Sequence, residues 1–96
     1  MMESREYFNS LYDIYKELLT EKEQIAFEEH YVEDLSMQEI ADNLNVSKSN
    51  IGMIVKRTEQ KLEEYERKLH ILEKNTKIKE ALINKDYASI EKIMDI

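Results

Sequence analysis

Almost nothing in this chain interrupts a helix, because across 96 residues there is no proline and one glycine, Gly52. In a helix interior proline costs ~3 kcal/mol and glycine ~1 kcal/mol relative to alanine, so their absence leaves helices to be bounded by caps alone. Leu, Ile, Glu and Lys dominate the remaining usage, and the fold class that follows is all-α. A chain of this length is expected to form one helical domain spanning 1–96.

The caps can be read off in order. Phe8, Leu11, Tyr12, Tyr15, Leu18 and Leu19 recur at three-and-four spacing and predict a first helix between Arg5 and Leu19. Thr20 followed by Glu23 is a capping-box pattern with Leu19 placed as a staple, so a second helix starts near Glu21 and carries Ile25, Phe27, Tyr31 and Val32 inward to near Glu33. Ser36 and Glu39 repeat the signal ahead of Met37, Ile40, Ala41 and Leu44. Asn45 suits the left-handed conformation that ends this short third helix, and Ser47 suits the N-cap of a fourth opening at Lys48. Ile51, Val55, Thr58, Leu62, Tyr65, Leu69 and Leu72 then alternate four and three apart, which predicts one long helix of about 25 residues. Residues Glu73 to Thr76 read as a turn, Ile78 to Ile83 as a fifth helix, and Ala88 to Met94 as a sixth capped by Asp86.

Two helices joined by a turn of three or four residues, the second presenting its start to a groove, form a helix-turn-helix, and residues 36–57 supply its parts. Ile40, Ala41, Leu44, Val46, Ile51 and Ile54 or Val55 would interlock. The outward set is then Ser47, Lys48, Ser49, Asn50, Met53, Lys56 and Arg57. Hydroxyls and helix-start amides suit phosphate, Asn50 suits a base edge, and Lys48, Lys56 and Arg57 suit phosphate charge. Gly52, within this helix, is expected to admit a partner backbone or the third helix.

Charge pulls the other way. The formal net charge is −7, from 14 Lys and Arg against 21 Asp and Glu. Residues 1–35 hold three of the bases and ten of the acids, so the remaining 61 residues balance. An acidic protein is a poor polyanion binder overall, and the basic outward set is the local exception. Cysteine is absent, and neither His30 nor His70 has ligand-spaced neighbours, so no metal or cofactor is expected. Adjacent acids such as Glu28 and Glu29 diverge around a helix and share no site, no phosphate loop or nucleophile motif occurs, and no enzyme is expected. The N-terminal residues lack a signal-peptide pattern and no apolar run is long enough for a membrane span, which makes the cytoplasm the expected location. Of the six tyrosines, Tyr12, Tyr15 and Tyr31 fall on inward stripes and are expected in the core with their hydroxyls at its rim.

Several stretches carry a resemblance when taken together: Leu11-Tyr12-Asp13-Ile14-Tyr15, Leu18-Leu19-Thr20-Glu21-Lys22, Tyr31-Val32-Glu33-Asp34-Leu35-Ser36, Glu39-Ile40-Ala41 and Lys56-Arg57-Thr58-Glu59-Gln60-Lys61-Leu62. Over about residues 8–72 the chain resembles the YlxM family of small bacterial proteins. The resemblance implies a wing-free helix-turn-helix bundle similar to region 4 of sigma factors, with a long recognition helix and short C-terminal helices. It also implies a regulatory or accessory part in the signal recognition particle pathway, through that particle's RNA or its GTPase, and it implies no catalytic residues.

Two functions of different class are open from the sequence. In one the outward set binds DNA or signal recognition particle RNA. In the other the acidic first two helices, through Glu28, Glu29 and Glu33, dock on a basic protein such as the targeting GTPase without nucleic acid. The seam residues Leu62, Tyr65, Leu69 and Leu72 need cover from the last two helices or from a second chain, and a homodimer is expected on that ground.

Overall fold

The computed structural model describes residues 4–94, so the N-terminal reading of residues 1–3 lies outside it. Six helices follow one another: α1 Ser4–Tyr15, α2 Glu21–Tyr31, α3 Met37–Leu44, α4 Lys48–Leu69, α5 Ile71–Ile83 and α6 Tyr87–Met94. The first amphipathic run does not stay α-helical to Leu19; it tightens into a 3-10 turn at Lys16–Leu18. That turn sends Leu18 outward, 53% exposed, while Leu19 is buried.

Each expected capping box forms in full. The Thr20 hydroxyl accepts from the Glu23 amide while the Glu23 carboxylate accepts from the Thr20 amide, and Ser36 and Glu39 do the same for α3. Ser47 caps α4 by accepting from the Asn50 amide at 3.1 Å. Helix ends use a different device. Asp34, Asn45, His70 and Lys85 all sit at positive φ, close to +56°, and follow α2, α3, α4 and α5 in turn. Behind Asn45 the Val46 amide donates to the Ala41 carbonyl at 3.0 Å, the six-to-one bond of a Schellman turn, and Asp86 to Ala81 repeats it at 2.7 Å. Side chains with a Cβ thus hold conformations that glycine adopts at no cost.

The core lies where α1, α2 and α3 pack on the first four turns of α4. Leu11, Tyr15, Phe27, Ile40, Ala41, Ile51 and Leu62 are sealed from solvent, and Thr58 is buried with its hydroxyl donating to the Ile54 carbonyl. Tyr12, Phe27 and Tyr31 form a stacked run with ring centroids 4.3 and 4.5 Å apart. Their hydroxyl ends reach the rim as the sequence suggests: Tyr12 donates to Glu28, Tyr15 to Glu66 and Tyr31 to Glu59. Several of the acids that make the chain negative therefore tie helices together.

Four expectations need correction. The long helix ends at Leu69 rather than running to Leu72, and residues 73–76 are not a turn but the first half of α5; the corner is His70. Helix α1 covers the seam that was assigned to the last helices or a second chain, placing Tyr15 against Tyr65 and sealing Leu62, while Leu69 stays 47% exposed and Leu72 packs from α5. Ile25 and Val32 do not face inward, because Ala26 takes the place expected of them beside Phe27 and Tyr31. Gly52 does not admit the third helix: a Cβ built there meets nothing within 4 Å.

Candidate nucleic-acid interface

Helices α3 and α4 cross on Ile40, Ala41, Ile51 and Val55, with Leu44 and Val46 half-buried between them, which turns the opposite side of α4 to solvent. On that side stand Ser47, Lys48, Ser49, Asn50, Met53, Lys56 and Arg57, all exposed. Met53 is 60% exposed, a large apolar side chain in the middle of a polar surface. At 100° per residue Ser49, Met53, Lys56 and Gln60 lie on one line, with Arg57 and Asn50 on one flank and Lys48 and Gly52 on the other. The seven residues do share a surface, to which Gln60 adds a side chain that the sequence reading missed. One more turn of the same period would have found it.

The helix start keeps free backbone donors. Ser47 already accepts from Asn50, so its oxygen is committed, and its hydroxyl lies 3.3 Å from that of Ser49. The amides of Lys48 and Ser49 belong to the first turn and have no intrahelical acceptor. No acid occurs between Ser47 and Thr58. Helix α4 carries six cations in all, and they divide sharply. Lys61 pairs with Glu23 at 2.8 Å, and Arg67 and Lys68 pair with Glu64 at 2.5 and 3.4 Å. Lys48, Lys56 and Arg57 make no ion pair with any described residue.

Further along α4 the surface changes sign. A depression of about 570 Å³ on the α1 side is lined by Tyr7, Gln60, Arg67, His70 and the four acids Glu63, Glu64, Glu66 and Glu73, and since Arg67 is paired with Glu64 the acids dominate it. His70 ends α4 and places its Nδ1 3.1 Å from Glu73, while His30 is half-buried beside Tyr31. Among the described residues no group of three or more His, Cys, Asp or Glu converges to hold a metal ion. None of the described helices is long and apolar enough to cross a membrane.

Comparison with known proteins agrees with this geometry. The UPF0122 family, described as "Putative helix-turn-helix protein, YlxM / p13 like", matches residues 2–95. A UPF0122 protein of Shouchella clausii is 48% identical over 66 residues, covering 69% of this chain and 61% of that protein. UPF0122 proteins of Bacillus cereus and Bacillus thuringiensis are each 43% identical over 74 residues, covering 77% of this chain and 67% of theirs. The chain thus spans about three fifths to two thirds of these relatives. With a family match over nearly its whole length, the chain belongs to the UPF0122 family of YlxM- and p13-like helix-turn-helix proteins.

Proposed function

We propose that the chain is a non-catalytic nucleic-acid-binding protein of the cytoplasm that engages DNA or RNA through the first three turns of α4. The observation that carries this reading is the division of the α4 cations: Lys61, Arg67 and Lys68 are paired within the chain, whereas Lys48, Lys56 and Arg57 point outward unpaired. Unpaired cations on one helix face release counterions when they meet phosphates, and that release drives non-specific affinity. Amides at the start of α4 would add phosphate contacts, while Asn50 and Met53 would meet base edges.

Within this reading α4 would dock as the corresponding helix of sigma region 4 does, and the chain would play an accessory role in the signal recognition particle pathway. Two copies would act together, joined along α5 and α6. The test is salt dependence. Binding of the intact chain to a DNA duplex and to a hairpin RNA is measured from low to moderate salt, with wild type and a triple variant, Lys48→Gln, Lys56→Gln and Arg57→Gln. The slope of log K against log salt is expected to flatten by up to about three in the variant. An unchanged slope would remove these residues from the interface.

A second reading, docking on the targeting GTPase without nucleic acid, draws on the acidity of residues 1–35. One of its three expected contacts is unavailable, because Glu29 is buried and accepts from the Asn43 side-chain Nδ2 at 2.6 Å. Glu28 and Glu33 remain on the surface.

A further inference from the structure

We infer that the outward side of α2 is a docking face for a basic amphipathic helix supplied by another protein. This inference rests on the second reading above and deepens it by naming the partner's chemistry, and it uses none of the nucleic-acid residues.

Helix α2 has two apolar sides. Ala26, Phe27 and Tyr31 enter the core. On the far side Glu21, Ile25, Glu28 and Val32 follow at four, three and four residues, the spacing that stacks side chains along one line. Ile25 is 36% exposed and Val32, the residue that caps the helix, 65% exposed. Branched aliphatic side chains are not chosen for helix propensity, and on this face Ile25 is only partly covered by the chain and Val32 mostly uncovered. Between them lies a shallow pocket of about 250 Å³ walled by Ile25, Glu28, Glu29, Val32 and Glu33.

The rim selects the occupant. Glu21, Glu28 and Glu33 surround the apolar pair, and Lys22 is the only Lys or Arg from Glu21 to Leu35. Glu28 is held in place by the Tyr12 hydroxyl, so part of the acidic wall is set before a ligand arrives. Such a face repels nucleic acid and anionic membrane. It also repels a two-fold copy of itself, since acid would meet acid. Its complement is a helix with aliphatic side chains for the Ile25–Val32 pocket, flanked by Lys or Arg for the three glutamates, which is the helix-in-groove mode of recognition.

The test uses the full chain and a synthetic helix of about 18 residues, some five turns, with leucines on one side and lysines on the other. A second peptide carries glutamate in place of lysine. Fluorescence anisotropy is expected to show saturable binding of the lysine peptide only. Ile25→Ser with Val32→Ser should weaken it at least about tenfold, while the salt slope for nucleic acid stays at its wild-type value. Glu21→Gln, Glu28→Gln and Glu33→Gln together should slow association at low salt, and this set leaves the apolar pair intact should the serine variant fail to fold. Equal binding of both peptides, or wild-type affinity in the serine variant, overturns the inference. So does sedimentation showing that the serine pair breaks up oligomers of the chain alone, which would make a second copy the occupant.

Discussion

The only glycine in the chain is not where the backbone asks for one. Asp34, Asn45, His70 and Lys85 hold left-handed conformations, while Gly52 stands inside α4, where it lowers helix stability. Nothing in the chain approaches its missing Cβ. Gly52→Ala should therefore raise unfolding stability by about 1 kcal/mol, read from urea melts. If a phosphate backbone passes over this flank beside Lys48 and Lys56, the same variant should bind nucleic acid more weakly despite being more stable. Equal affinity would show that no ligand comes that close. Glu23 offers a second test at this scale. Burial pushes its carboxyl up, but the Lys61 ammonium and the Thr20 amide and hydroxyl more than offset that and hold it below its ordinary 4.5. The folded chain therefore takes up this proton at lower pH than the unfolded chain, and the stabilisation is complete above about pH 4.5 and lost as pH falls through the depressed value. Glu23→Gln should cost about 1 kcal/mol at pH 7, with the gap to wild type closing below pH 4.5. A gap that stayed constant down to pH 3 would contradict it.

Helix starts could be read because their chemistry is local: Thr20 with Glu23, and Ser36 with Glu39, satisfy each other within four residues. The corner between α4 and α5 could not, because its partners come from far away. His70 gives α5 no side-chain cap. Instead the Glu66 carboxylate accepts the Leu72 and Glu73 amides at 3.0 and 3.1 Å, and the Tyr15 hydroxyl accepts from Ile71 at 3.3 Å while donating to Glu66 at 2.6 Å. Burial and the Glu66 carboxylate together push that hydroxyl up to about 12, which keeps it a donor across the working pH range. A heptad seam that continues through Leu69 and Leu72 hides this break, since periodicity records which residues are apolar and not where the axis bends. The same limit misplaced Ile25 and Val32, for α2 carries two apolar lines and only the fold decides which is inside. Glu66→Ala should cost about 2 kcal/mol by leaving two amides and a phenol without their acceptor. Amide exchange should then rise from Ile71 onward while α3 keeps its protection. A uniform loss across all helices would mean that Glu66 supports the whole core rather than this corner.

The whole molecule is elongated, 52 Å by 22 by 19 Å, and most of its large exposed apolar side chains lie in its C-terminal part, away from its acidic third. Acid excess is confined to residues 1–35, whereas 71–96 carry five lysines against five acids. Leu69, Ile71, Leu82, Ile83, Tyr87 and Met94 are all exposed, and α6 buries no residue of its own. Helix α5 packs Leu72 against the core, and the hairpin of α5 and α6 leaves apolar side chains exposed among the described residues. Two copies brought together there would bury aliphatic and aromatic side chains on a segment whose lysines and acids balance, and a two-fold axis would leave both α4 faces free. Light scattering is expected to give twice the 11.5 kDa chain mass. Leu82→Glu with Tyr87→Glu should return the mass to that of one chain, with the helical signal and the melting of the core retained, because neither side chain enters it. Pairing through this hairpin should also make nucleic-acid binding by the wild type steeper in protein concentration than binding by the double variant. A wild-type chain that scatters as a single 11.5 kDa particle at about 100 µM would exclude any pairing of useful strength.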